Sequence, residues 1–403
     1  MVWKKLATVF MVVMLLAITM GTGSVSAAES EGSVTVILVS DNTADSGIAK
    51  LLANVTGGVV VTTPWGVYEP NVTAEILSYA PDQVIIIGGP MAVVNQYVSD
   101  LESYNITVYR WGGGMNRYET NLIALQMAKK LGGLIKEENV TVIAPGNDTA
   151  AIEEAIKLAL QNGGIVVYIN KTVSIDKVNK TVSLKKIIVV HTPVTEKIAE
   201  GVMKKLVRAN APVTNVTVNV NVKIQRMERA IQLRINRILK IANLTNSSEL
   251  VELANNLTLE LQEVNKLIQE GNVTEAYKKL LWLQVRTQFA LKKANFVMAK
   301  ETGAGKVGVI VKLWKVKAEL QILQRIGINV TEYNQTLVEI ESYIKAGNYG
   351  EAMKLLNQLE KEIRSLYKEN RVALRQYMRM HRGKGNHNGR WQNGGNQTSV
   401  GKP

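Results

Sequence analysis

Three histidines and no cysteine in 403 residues leave this chain little material for catalysis. Thiol chemistry is excluded, and a zinc site has too few imidazole ligands to draw on. His191 is the best placed of the three, because it closes a predicted strand at the end where open α/β sheets put ligands; a packed histidine with no role is the competing reading. His381 and His387 fall in or beside a basic tail and stand apart. Gly303-Ala304-Gly305-Lys306 has the look of a phosphate loop, but the earlier Gly, the following Ser or Thr and the preceding strand are missing, so it reads as a linker. No Gly-x-Ser-x-Gly elbow occurs. The paired carboxylates Glu137-Glu138 and Glu153-Glu154 are adjacent in sequence and read as solvated. No catalytic residue, cofactor or metal ion is therefore expected.

Residues able to hold a ligand are easier to find. The glycine turn Gly88-Gly89 lets a backbone approach a ligand closely, Arg110 and Arg117 offer planar forks to carboxylate or phosphate, and Tyr118 can stack on a sugar face. The alternative is that Arg117 and Tyr118 only cap and pack the edge of their unit.

These residues belong to a duplicated element. Val34 to Val61 is repeated from Val140 to Val167 without a gap, with 13 of 28 positions identical. Reuse at fixed spacing marks one structural unit made twice. Each copy reads as a β-branched strand, an amphipathic helix, a Gly-Gly turn and a second strand. A further strand-turn-helix block follows in both, Val84 to Leu101 and Ile187 to Val207, with Pro90 and Pro193 in register. Fully apolar strands alternating with helices imply a mostly parallel sheet covered on both faces.

The first copy resembles the type 2 cell-wall-binding repeat. The resemblance rests on VIIIGGPMAVV and on the run YNITVYRWGGGMNRYET, which ends in Asn116-Arg117-Tyr118-Glu119-Thr120. It covers roughly residues 33 to 208. It implies an α/β sandwich that attaches surface proteins to anionic wall polymers. Asn116 stands for the usual Asp and Val94 for the usual Ser, and two units are present where three are usual. The second copy has His191-Thr192 in place of Gly88-Gly89 and lacks the Arg-Tyr-x-Thr sequence, which leaves it as scaffold.

Lys4 and Lys5 precede an apolar run from Leu6 to Met20, and Val25-Ser26-Ala27 supplies the small residues of a cleavage site. Residues 1–27 therefore read as a secretory leader, and no transmembrane anchor is expected after it. Fifteen N-x-S/T sequons occur, at Asn54, Asn71, Asn105, Asn139, Asn147, Asn170, Asn179, Asn215, Asn243, Asn246, Asn256, Asn272, Asn329, Asn334 and Asn396. Composition alone gives roughly four. Dense sequons on an exported chain predict an N-glycosylated surface protein, although Asn272 also sits where a helix cap belongs. Sequons without any cysteine point to an archaeal envelope, and the Ile, Val, Lys and Glu usage suits a thermophile.

Beyond Ala211 to Val222, which reads as a linker, glycine becomes sparse and the apolar period changes to 3.6. Two three-helix units are expected, at 223–302 and 303–382, packed as coiled-coil-like bundles or end to end as a stalk. Leu261 to Gln284 matches Leu337 to Glu360 at 10 of 24 positions. The shared G-N-x-x-E-A supplies a helix-ending glycine, a capping asparagine and an early glutamate. The corner is somewhat like that of tetratricopeptide repeats, without their 34-residue period. The expected domains are thus a leader (1–27), α/β repeat 1 (28–132), α/β repeat 2 (133–210), the linker, the two helical units and a disordered basic tail (383–403). Residues 28 to 210 and 223 to 382 are each long enough to bury a core of their own.

Charge divides the chain. Residues 28 to 210 carry a net of −2, and residues 211 to 403 a net of +14. Past Glu369 the run containing Arg371, Arg375, Arg379, Arg382, Lys384, Arg390 and Lys402 includes no acidic residue. The reading is a non-enzymatic, exported envelope protein whose α/β repeats bind or embed in the surface layer and whose helical half is a spacer or partner-binding stalk. Its expected partners are a surface glycan or anionic envelope polymer, with an S-layer protein, a second copy of the chain and, at the basic tail, anionic lipid as further candidates. Two rivals stay open: a glycan-processing enzyme on the α/β domain, and a polyanion binder using the basic helices.

Overall fold

The structure, a computed structural model, describes residues 33–112, 116–130, 140–170, 185–208, 212–300 and 305–382. The expected leader, the Glu137-Glu138 pair, Gly303 and Ala304 of the Gly303 to Lys306 loop, the expected basic tail and the sequons at Asn139, Asn179 and Asn396 lie outside them.

Each α/β repeat builds one four-stranded sheet. In the first, β1 (Thr35–Ser40), β2 (Val59–Thr63), β3 (Gln83–Ile87) and β4 (Thr107–Trp111) lie in the order β2-β1-β3-β4, all parallel. In the second, β5 (Thr141–Pro145), β6 (Ile165–Ile169), β7 (Ile187–His191) and β8 (Val213–Thr217) repeat that order. The stretch expected as a linker therefore supplies β8, paired along its length with β7. Its β-branched Val and Thr residues suit a strand, and its exposed and half-buried side chains suit the sheet edge, and the second α/β unit extends past residue 210 to include it.

The two sheets share one layer of helices. Between them lie α1 (Thr43–Thr56), α4 (Arg117–Lys130) and α5 (Thr149–Asn162). Ile37, Val39, Ile85 and Ile87 face this layer from the first sheet, and Val142, Val166, Tyr168 and Val190 from the second. The α1–α5 crossing is close: a Cβ on Gly47 would come 2.3 Å from Ile156 Cδ1 and 2.7 Å from the Tyr168 hydroxyl. Small residues Ala151, Ala155 and Ala159 line the α5 side. On the outer face of the second sheet, α6 (Glu196–Arg208) covers Ile143, Ile187 and Val189. On the outer face of the first, α2 (Pro70–Ser78) and α3 (Gln96–Ser103) cover Val36, Leu38, Val84 and Ile86.

The helical half is packed onto these layers, and is neither a stalk nor a spacer. Helices α7 (Asn221–Thr245), α8 (Ser248–Gln269) and α9 (Val273–Lys300) form a three-helix bundle whose core is continuous with the shared middle layer. Helix α10 (Lys306–Arg325) lies along α2, and with α11 (Thr331–Lys345) and α12 (Tyr349–Glu369) extends the outer core of the first sheet. The reason is apolar surface left over: Val72, Ile76 and Leu77 of α2 are buried against both the sheet and the Val309, Val316, Leu320 stripe of α10. The two G-N-x-x-E-A corners turn as expected, with left-handed Gly271 (φ 77°) and Gly347 (φ 74°) and Asn348 accepting from the Glu351 N–H at 3.4 Å. The last expected helix is broken at Asn370, whose side chain donates to the Leu366 carbonyl. The short α13 (Arg371–Arg382) that follows turns back to the first repeat. Arg371 and Arg375, which follow the last acidic residue of the chain, meet Asp82 there at 3.1 and 2.6 Å.

Because the cores run across the boundary between the halves, Leu320→Ala should destabilise the whole molecule by about 2–5 kcal/mol. Thermal unfolding should remain a single transition, shifted down. A second transition, with the α/β part melting at its original temperature, would show that the halves fold separately.

Candidate functional site

In both sheets the strand order reverses between the first and third strands, so the crevice for a ligand lies at the carboxyl ends of β1 and β3, and of β5 and β7. The two crevices share a plan and differ in what fills them.

In the first, β1 runs out through Ser40, Asp41 and Asn42, and Asn42 caps α1 by accepting from the Ala44 N–H at 3.0 Å. From β3 comes the turn Gly88-Gly89. Gly88 (φ 112°) donates to the Trp111 carbonyl at 3.0 Å, and its own carbonyl accepts from Arg110 Nη1 at 2.8 Å. A second Arg110 nitrogen donates to Asn95 Oδ1 at 3.2 Å, so the half-buried guanidinium is fixed over the turn. A guanidinium has five N–H donors, and two are used here. Beneath the turn lies Asp45, 5% exposed, whose Oδ2 accepts from Ser40 Oγ at 3.1 Å and whose Oδ1 has no hydrogen-bond partner among the described residues. Burial pushes its carboxyl up to about 6, against the pull of Ser40 and of the Arg117 charge. Asp41, the other carboxylate at this strand end, is held by Arg234 at 2.6 Å and by the Trp65 N–H at 2.9 Å.

Arg117 and Tyr118 sit at the joint between the repeats. Asn116 Oδ1 accepts from the N–H groups of Tyr118 and Glu119 and starts α4. Arg117 Nη1 then donates to the Gly146 carbonyl of the second repeat at 2.9 Å, and the Tyr118 ring lies so close to Gly146 that a Cβ there would meet it at 2.6 Å. One turn on, Asn121 bonds both the carbonyl of Val166 and the N–H of Tyr168, each at 3.0 Å, clamping strand β6. Gly88, Gly89 and Arg110 thus form one group and Arg117 with Tyr118 another, linked through the field of Arg117 on Asp45. Asp45 and Asn121 carry no spacing signal that would have singled them out.

The second crevice is closed. Asp148, fully buried, caps α5 and accepts from Thr192 Oγ1 at 2.5 Å and Thr195 Oγ1 at 2.6 Å. Tyr277 of α9 completes it: its hydroxyl donates to Asp148 Oδ1 at 2.7 Å and accepts from the Ala150 N–H at 2.9 Å. His191 is buried between the Thr192 carbonyl and the Thr217 hydroxyl, a packed histidine. Helix α9 then continues to the first repeat, where Phe289 meets Trp65 edge to face at 5.3 Å. A single helix spans both crevices.

A separate cleft of about 1380 Å3 opens where the first repeat meets both helical bundles, with Tyr68, Asp100, Arg237, Lys240, Trp314 and Lys315 among its lining. Lys315 donates to Asp100 at 3.0 Å and to Glu360 at 2.8 Å. Burial pushes the Glu360 carboxyl up, but Lys315 and Lys312 outweigh it and hold it at about 2. Behind the wall, burial raises Glu319 to about 7. Most charges facing this cleft are committed to one another. Among the described residues no group of three His, Cys, Asp or Glu is placed to hold a metal ion.

No family model matches the chain. It is 29% identical over 310 residues to an uncharacterised protein of Methanocaldococcus jannaschii, covering 76% of this chain and 86% of that one. Among solved structures it is similar to Cwp6 from Clostridium difficile (24% identity, TM-score 0.36) and to Cwp8 from the same organism (19% identity, TM-score 0.39). The matches cover 46% and 50% of this chain, which spans only 28% and 33% of those two.

Two stability predictions separate the crevices. The raised carboxyl of Asp45 favours the folded state fully below the unfolded value near 4 and loses that contribution as pH rises through about 6. Asp45→Asn should therefore be more stable than the parent at pH 7, by up to about 3 kcal/mol, with the gap closing toward pH 4. Equal melting curves at both pH values would show that Asp45 is not a strained buried carboxyl. Tyr277→Phe should cost about 2–3 kcal/mol, because it strips a donor from a buried carboxylate and an acceptor from a backbone N–H. Thermal melts of that variant read the loss.

Proposed function

We propose that this chain is a non-enzymatic, exported protein of the cell envelope that holds surface glycan or another anionic envelope polymer at the Gly88-Gly89 crevice of its first α/β repeat. The observation that carries this reading is the asymmetry of the two crevices. The same plan is sealed by Tyr277 in the second repeat and left with a positioned, half-buried Arg110 in the first. Arg110, Gly88 and Gly89 are then the ligand-facing group, and Arg117 with Tyr118 set the angle between the repeats. The sequence pattern adds support: of the twelve sequon asparagines in the described residues, eleven are exposed and Asn170 is half-buried, on both halves of the molecule. Exposed asparagines are what N-linked glycosylation requires. The helical half braces the repeats, and ion pairs to the α/β half occupy Lys223, Arg234, Arg237, Lys315, Arg371 and Arg375, which weighs against a general polyanion binder.

One observation favours a second reading. A buried carboxyl raised to about 6, beside Asp41 at a strand end, has the electrostatics of a catalytic acid. Release of reducing ends from isolated envelope glycan by the chain, abolished in Asp45→Asn, would establish that reading in place of the first.

Binding of the exported chain to an envelope fraction of its source should fall about tenfold in Arg110→Ala, the loss of one charge-assisted hydrogen bond, with the melting temperature nearly unchanged. Arg117→Ala should instead lower the melting temperature. If Arg110→Ala binds like the parent, the ligand is held elsewhere.

A further inference from the structure

Helix α9 carries three large aromatic rings in register on its outer face. Trp282, Phe289 and Phe296 are spaced by seven residues and are 68%, 58% and 60% exposed. Successive rings are about 10 Å apart along the helix, and all three point the same way. The opposite face of α9 buries Ala276, Leu280, Leu283, Leu291 and Ala294, so the core needs none of the three rings. The apolar surface continues onto the first repeat through Trp65 and through Met91, 61% exposed.

Lysines stand among the rings in a particular way. Lys292 Nζ lies 3.2 Å from Met91 Sδ and 5.1 Å from the centre of the Trp65 ring, and Lys300 Nζ lies 4.8 Å from the centre of Phe296. Their stems run along apolar surface, and among the described residues neither is ion-paired. The four carboxylates nearby, Glu249, Glu260, Glu263 and Glu275, are each paired to a lysine or arginine of α9. What remains is a stripe of rings about 20 Å long with two uncompensated ammonium groups at its edge.

We infer that this stripe is a membrane-contact surface that seats α9 in the plane of an anionic lipid interface. Rings sink to the acyl boundary while lysine stems reach back to phosphate, the arrangement of in-plane helices. The Trp282 indole, apolar with one N–H, suits the same depth. No helix among the described residues is long and apolar enough to cross a membrane, so the contact is from one side. A sugar polymer fits less well, because Phe289 and Phe296 offer no hydrogen bond to a hydroxyl and the carboxylates beside them are committed. A second copy of this chain fits less well too: a two-fold pairing through this face would bring one protomer's Lys292 and Lys300 against the same basic stripe of the other. The inference does not depend on which polymer the α/β repeats hold.

The described residues from Val34 onward form one compact unit, so the test uses the chain without residues 1–27, with residues 383–403 kept in every variant. Co-sedimentation with vesicles of equal parts phosphatidylglycerol and phosphatidylcholine should show binding, and pure phosphatidylcholine vesicles much less. The triple change Trp282→Ser, Phe289→Ser, Phe296→Ser should lower the partition coefficient at least about tenfold. The pair Lys292→Gln and Lys300→Gln should lower it several-fold. Trp282→Ala alone, at the most exposed ring, serves if the triple variant melts early. Vesicle binding that is equal in the ring variants and the parent would overturn the inference, since the tail would then account for it. So would ring-dependent retention on isolated envelope glycan without vesicle binding, or a ring-dependent dimer in sedimentation velocity without vesicle binding.

Discussion

A parallel sheet has two apolar faces and must bury both, and this chain carries two such sheets on one polypeptide. The four faces are met by a single shared layer in the middle and by separate covers outside. Sharing makes the middle layer dense: α1 crosses α5 at Gly47, where a methyl group would strike Ile156 and Tyr168. It also sets the distance between repeats, so that Arg117 and Asn121 can bond directly to the backbone of the second repeat while Tyr118 packs against Gly146. Every other feature of the molecule follows from how the remaining apolar surface is covered.

That cover comes from the helical half. Helix α2 is too short to shield the outer face of the first sheet alone, and α10 with its two partners completes the layer. The charge imbalance between the halves has a structural counterpart. Asp41, Glu69, Asp82, Asp100 and Glu153 of the α/β half face Arg234, Arg237, Arg375, Lys315 and Lys223 of the helices. Individually such pairs contribute little, about 0–1 kcal/mol when exposed; together they tie α7, α10 and α13 to α2, α3, α5 and the ends of β1 and β3.

Duplication followed by divergence explains the contrast between the two crevices. Both copies end their first strand near a capping residue and open a helix there, Asn42 in one and Asp148 in the other. Replacing Gly88-Gly89 by His191-Thr192 fills the second turn with side chains, and Thr192 and Tyr277 then supply hydroxyls to Asp148. The first copy keeps the glycines, so Arg110 can reach the Gly88 carbonyl and hold its fork at the surface. Asp45 beneath it stays partly unsatisfied, the kind of buried group that marks a site of function or strain.

Much of this was legible in the residues. Periodicity of 2 and of 3.6, the 106-residue repeat and the G-N-x-x-E-A corners are local signals, and they determined the two α/β units, the helical half and its turns. The glycine turn at Gly88 was readable for the same reason, since a left-handed φ selects glycine locally. What no local signal carries is which surface covers which. The role of Val213–Thr217 as an edge strand, the reach of Tyr277 into the second crevice across 129 residues of chain to Asp148, and the docking of α13 at Asp82 depend on contacts between distant segments. Such contacts are chosen by the total apolar area and charge left exposed after the local elements have formed, a quantity that exists only in the assembled molecule. For that reason the sequence by itself determined the elements and the candidate ligand-facing residues, and the tertiary structure decided that Tyr277 fills the second crevice while Arg110 is fixed over the glycine turn of the first.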